Sequence, residues 1–127
     1  MKSFDVFKTN KKMLLIIFIF IAFLLLVSSF VSYVKFNTIN PFATGYGLLR
    51  IMVFNVDYEE IQSNPRVIIA KPDYAWQLFL DTIEKEGYTY LKEERMGSLC
   101  SFKKNGKRER VFFSVNGYFS KWIWEKQ

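Results

Sequence analysis

From Met13 to Val34 the chain runs for twenty-two residues without a charge, nearly all Leu, Ile, Phe, Val, Met or Ala, with Ser28, Ser29, Ser32 and Tyr33 as the polar interruptions. At a rise of about 1.5 Å per residue, such a helix is roughly 33 Å long, against roughly 30 Å of bilayer hydrocarbon. A helix that is apolar on every face needs apolar surroundings on every side, and the remaining chain is too short to wrap it inside a core. Residues 13–34 are therefore read as a single transmembrane helix. The alternative is a secretory signal cleaved after Ser29, with Lys2, Lys8, Lys11 and Lys12 as its basic start. Cleavage there would make the following domain a secreted one. The apolar stretch continues through Phe30, Val31 and Tyr33, beyond the roughly 7–15 residues usual for the core of a signal. No cysteine follows closely, so a lipoprotein anchor has no residue to modify.

Orientation follows from the flanks. Four lysines and Asp5 precede the apolar run, whereas Lys35 follows it and then no basic residue occurs until Arg50. The positive-inside rule places residues 1–12 in the cytoplasm and the chain after the span outside. Tyr33, Phe36, Phe42 and Tyr46 fit an aromatic belt on the outer side. The net charge of +6 divides unevenly: residues 1–35 hold five Lys and one Asp, a balance of +4, and the rest hold thirteen basic and eleven acidic residues, a balance of +2. Most of the excess is topogenic, and the near-neutral remainder argues against a nucleic-acid partner. Cys100 is the lone cysteine and has no disulfide partner within the chain. A small domain without disulfides must rest on its apolar core, which suits a bacterial surface protein better than a disulfide-rich secreted scaffold.

Beyond the span, Phe36 to Gly47 carries Asn37, Asn40, Pro41, Gly45 and Gly47 and reads as a juxtamembrane linker, residues 35–47. The domain proper is assigned to residues 48–127. Leu48 to Ile61 fits a strand through Leu49, Ile51 and Val53, and is read as extended up to the Ser63-Asn64-Pro65 turn; an interfacial amphipathic segment is the alternative. Val67 to Lys71 reads as a buried strand between two prolines. Asp73 is the expected N-cap of a helix of about thirteen residues, with Trp76, Phe79, Leu80 and Ile83 on one face and Gly87 just past its end.

After Gly87 the period changes to two. Tyr88 to Arg95 and Ser98 to Lys104 are strand candidates around a Met96-Gly97 turn. Asn105-Gly106 and Asn116-Gly117 each read as a two-residue type I′ turn, which needs positive φ at both positions. These turns pair Lys104 with Lys107 and Val115 with Tyr118. Cys100, Phe102, Val111, Phe113, Val115, Tyr118, Trp122 and Trp124 then share one face, while Leu99, Phe112, Phe119 and Ile123 lie on the other. The expected fold is α+β: a strand, one amphipathic helix, then a three- to four-stranded antiparallel β-meander on which the helix packs.

The chain contains no His. That excludes Ser-His and Cys-His nucleophiles and imidazole metal ligands. Glu59-Glu60 and Glu93-Glu94 are adjacent, so on strands each pair points to opposite faces. Gly45-Tyr46-Gly47 lacks the context of a phosphate loop, and Asp57 with Glu59 makes no calcium loop. The expectation is therefore no enzyme, cofactor or metal, with a small cell-surface hydrolase acting through carboxylates as the alternative. Two surfaces remain. Lys103, Lys104, Lys107, Arg108 and Arg110 cluster at a hairpin tip and could meet anionic polymer or lipid headgroups, although a solvated turn guarding edge strands gives the same pattern. Leu99, Phe112, Phe119 and Ile123 form a partner surface if the single helix covers only the opposite face. The sequence thus points to a single-pass anchor, contacting lipid through residues 13–34, that carries an extracytoplasmic interaction domain of the accessory, sensor or immunity type, with a membrane or cell-surface protein as partner.

Overall fold

The computed structural model describes residues 2–125, with side chains from residue 10 onward; the side chains of Lys2, Asp5 and Lys8, and residues Lys126 and Gln127, lie outside the described residues. It is an α+β structure with three α-helices and a six-stranded antiparallel sheet in the order β1-β2-β6-β5-β4-β3. Helix α1 runs from Lys2 to Phe36. Its stretch Asn10–Phe36 has a hydropathy of 3.2, and none of its most apolar window is buried against the rest of the chain. Such a helix is long and apolar enough to cross a membrane, a property that a signal sequence shares.

The segment expected as a linker contains a second helix instead, α2, spanning Pro41–Met52. The Asn40 side chain accepts bonds from the amides of Phe42 and Ala43 at 3.0 and 3.3 Å, and Pro41 occupies the first turn, where its missing N–H costs nothing. Two glycines in a helix interior cost about 1 kcal/mol each relative to alanine. Burying one Ile or Leu returns about 1.5–3 kcal/mol, and α2 presses Ile51 and Leu48 into the domain. Tertiary burial therefore outweighs local propensity. Gly47 is also required sterically, since a Cβ there would lie 2.5 Å from Cγ2 of Ile61 on β1. The strand expected over Leu48 to Ile61 is accordingly shortened and displaced, to β1 at Tyr58–Ser63.

The chain between α1 and α2 is held throughout. The Asn37 amide bonds Tyr33 O at 2.9 Å, the Asn37 carbonyl accepts from Gln62 at 3.3 Å, and Thr38 is buried. Lys121 on the sheet donates to the carbonyl of Lys35, in the last turn of α1, at 2.6 Å. Ser32 of α1 and Thr44 of α2 share a buried hydroxyl–hydroxyl bond of 2.7 Å.

Strand β1 turns through a cis Asn64-Pro65 bond into β2, Arg66–Ala70, which is buried apart from its first residue. Helix α3 then occupies Ala75–Lys85. Its N-cap is Tyr74 in the left-handed region, not Asp73, which stands one residue too early and stays exposed; the first helical bond runs from Leu78 N to Tyr74 O. Gly87, at φ +95°, ends the helix as expected. The strand expected from Tyr88 to Arg95 is only Thr89–Tyr90, β3, followed by a 3₁₀ turn at Lys92–Glu94. Arg95 swings over the Trp76 ring at 4.6 Å, and Met96 bridges back to Leu99 across Gly97, which drains the rest of the strand into a turn.

Strands β4 (Leu99–Lys104) and β5 (Lys107–Val115) pair in the expected register, Lys104 opposite Lys107 and Cys100 opposite Val111, around Asn105 and Gly106 at φ 53° and 79°. The second Asn-Gly behaves differently. Asn116 and Gly117 lack positive φ; the Asn116 side chain instead accepts from the amides of Tyr118 and Phe119, closing a longer loop. Strand β6 is Ser120–Trp124, and Val115 pairs with Ser120 rather than Tyr118, so the register moves by two residues. A shift of two preserves the faces, and Trp122 and Trp124 stay inward while Tyr118 becomes solvent-exposed.

The core lies on both sides of the sheet. On one face α3 places Phe79 and Ile83 against Ile68, Phe102, Val111, Trp122 and Trp124. The buried Trp122 indole N–H is satisfied by Ser120 Oγ at 3.0 Å. On the other face, Phe36 and Ile51 pack on Ile61, Val67 and Ile69, with Phe119 and Ile123 at the margin.

Candidate functional site

The second face is covered over only part of its width. Helix α2 and the end of α1 sit over β1, β2 and the near side of β6, where Phe119 meets Phe36 with ring centroids 4.9 Å apart. Beyond that line neither α1 nor α2 reaches β4 and β5 among the described residues; the Lys92–Glu94 turn lies against β4, Ser101 is buried, and Phe112 is left 41 % exposed. The four residues grouped by sequence as one patch are therefore divided: Phe119 and Ile123 belong to the second core, whereas Leu99 and Phe112, paired across β4 and β5, border open sheet.

The open part forms a concavity of about 920 Å³. Its floor is the outward side of Leu99, Ser101 and Arg110, and the Glu93–Met96 turn makes one wall, with Arg108, Lys107 and Glu125 around the rest. Arg108 reaches Glu94 at 3.2 Å and Arg110 reaches Glu125 at 2.6 Å, so two of the cations are already paired. Glu94 Oε2 is buried with no hydrogen-bond partner among the described residues. That leaves an acceptor open beside the wall of the concavity.

Of the five basic residues grouped by sequence, three come together here: Lys107, Arg108 and Arg110. Lys103 is exposed further along the same face, and Lys104 turns to the opposite face, its ammonium 4.9 Å from the Tyr88 ring centroid. The sequence grouping missed Arg95, Met96, Glu94 and Glu125. The turn signal at Met96-Gly97 was the available clue, because a chain that doubles back there must set the preceding residues beside β4.

A second polar group lies at the end of α3 and has a different character. Arg66 forms a two-pronged bond with Glu86 at 2.7 and 2.5 Å, pairs with Glu60, and stacks 4.5 Å from the Trp124 ring centroid. The guanidinium holds the Glu86 carboxyl below its ordinary range. Burial pushes the Tyr88 hydroxyl up to about 12, with Glu109 beside it adding to the shift. Every charge in this cluster has a partner, which is the pattern of a structural clasp joining β2, α3 and β6. Among the described residues no group of three His, Cys, Asp or Glu side chains is arranged to hold a metal ion.

No family model, curated protein or solved structure matches the chain.

Proposed function

We propose that the chain is a single-pass membrane protein whose domain lies outside the cytoplasm and works by binding a membrane or cell-surface protein rather than by catalysis. Helix α1 is the anchor, with residues 1–12 cytoplasmic, and the disulfide-free domain suits a bacterial surface. The observation that carries the binding reading is the divided second face: half is closed by the helices next to the span, and half is left open beside Leu99 and Phe112. A face that the chain covers only in part, with an apolar edge and a charged border of which two pairs are made, resembles the core and rim of a protein interface. Of the three carboxylates at the concavity, Glu94 and Glu125 are engaged by Arg108 and Arg110 while Glu93 stands exposed without an ion pair among the described residues, which supports ion pairs over a paired acid and base. The near-neutral charge of the domain supports a protein partner over nucleic acid.

The test is photo-crosslinking in intact membranes with the crosslinker placed at Phe112 or at Phe119, on a chain bearing a C-terminal topology reporter. The expected result is one discrete adduct from Phe112, none from Phe119, and an external, uncleaved C-terminal domain. Adducts from both positions or from neither would reject the open half-face as the binding surface. A reporter released from the membrane would reject the anchor.

A further inference from the structure

The side of α2 turned away from the domain is as apolar as a core and has no protein against it. Phe42, Tyr46, Leu49 and Val53 follow one another at helical spacing and are 71, 54, 45 and 65 % exposed, and Ile39 and Phe54 continue the stripe at either end. Between Lys35 and Asp57 the sequence carries a single charged residue, Arg50. That charge is tied back to the domain by Glu59 at 3.0 Å and bonds the Tyr46 hydroxyl at 3.2 Å. An exposed apolar stripe of this kind, with its one nearby charge tied back to the domain, marks a contact surface.

The contact between α1 and α2 identifies the occupant. Thr44, in the middle of α2, is bonded to Ser32 of α1. Ser32 lies two residues inside the apolar run that ends at Val34, so with α1 as a span Thr44 is held about 3 Å inside the apolar boundary. On the same end of α1, Val31, Tyr33 and Val34 are likewise exposed.

We infer that the outward face of α2 is a lipid-contact surface, seated in the same leaflet as the outer end of α1 and holding the domain down on the bilayer. The inference rests on α1 being a membrane span. The aromatic and aliphatic mixture of Phe42, Tyr46 and Leu49 suits the interfacial layer, where rings and a hydroxyl are both accommodated. Arg50, on the flank, keeps its charge on the domain side.

The experiment uses the full chain in phosphatidylcholine–phosphatidylglycerol vesicles, with one spin label at a time on Tyr46→Cys, Leu49→Cys, Phe20→Cys, Phe30→Cys and Tyr118→Cys variants. Cys100 is buried and burial raises its thiol pKa, so it stays unlabelled. Collision with oxygen reports lipid, and collision with a water-soluble nickel complex reports water. The expected oxygen-to-nickel ratio at positions 46 and 49 matches that at 30 and stands well above that at 118. A low ratio at 46 and 49 with a high one at 20 would overturn the lipid contact while leaving the span intact. Shielding of 46 and 49 from both reagents would also overturn it, in favour of a second copy or a protein partner. A low ratio at 20 would remove the span and this inference with it. Near-UV circular dichroism of Trp122 and Trp124 confirms that each labelled variant is folded.

Discussion

On one face of the sheet, α3 lays Phe79 into a nest of rings, with Phe113, Trp122 and Phe102 at centroid distances of 5.0 to 5.4 Å. On the other, the cover comes from α2 and the last turn of α1, held by smaller contacts: Ile51 and Leu48, the close approach at Gly47, and the pair Phe36–Phe119. The first face is closed by a helix belonging to the domain. The second is closed by chain that belongs equally to the apolar N-terminal helix, and only in part. A domain of this size can be stabilised chiefly from one side, leaving the other closed only in part.

Four tests probe that division, in descending order of effect, the last with Phe119→Ser as its contrast. Phe79→Ala removes the centre of the ring nest and is expected to cost about 3–5 kcal/mol, read by denaturant unfolding of the full chain in detergent micelles; a loss below 1 kcal/mol would show that the first face is not the main core. Gly47→Ala drives a methyl into Ile61 and is expected to cost about 1–3 kcal/mol, with α2 lifting before the sheet unfolds. Hydrogen exchange checks this, because α2 amides should lose protection while β4 and β5 keep theirs. If all elements lose protection together, the two faces are one cooperative unit.

The third test uses pH. Arg66 holds Glu86 below its ordinary value of 4.5, so the unfolded chain takes up this proton more readily than the folded one. The stabilisation is complete above the unfolded value and drains as pH falls through the folded one. Stability of the native chain should therefore decline on acidification below about pH 4.5 more steeply than that of a Glu86→Gln variant; parallel declines would show that the clasp contributes nothing. The smallest effect is expected from Phe112→Ser. Removing a ring from the open half-face should change stability by no more than about 0.5 kcal/mol yet abolish the adduct formed by a crosslinker placed at Leu99, the partner of Phe112 across β4 and β5. Phe119→Ser should instead destabilise, since its ring packs on Phe36.

The parts of this fold that were legible in the sequence are those where local chemistry and tertiary packing agree. The stripe Trp76, Phe79, Leu80 and Ile83 read as a helix and is one, and Asn105-Gly106 fixed a register that pairs Cys100 with Val111. The second Asn-Gly misled because an Asn can make a turn in two ways, through positive φ or through its side chain, and the dipeptide does not say which. The face assignment survived because the error was two residues and not one. Helix α2 was hidden by Gly45, Gly47 and Pro41, which read as breakers; Asn40-Pro41 is equally a helix start, and Gly47 is small because β1 passes there. The split of the second face could not be read at all without α2. Leu99 and Phe112 look the same in sequence as Phe119 and Ile123, and what separates them is a helix placed by contacts far along the chain.

The Lys121 ammonium bonded to the carbonyl of Lys35 sets how this domain can meet anything. A flexible twelve-residue leash would let a domain roam roughly 19 Å, sampling many distances and headings relative to α1. Here Lys121, Gln62 and the buried Thr38 take up that slack. The domain is mounted on α1 as a vane on a shaft: when the helix turns about its own axis, the open half-face sweeps round with it.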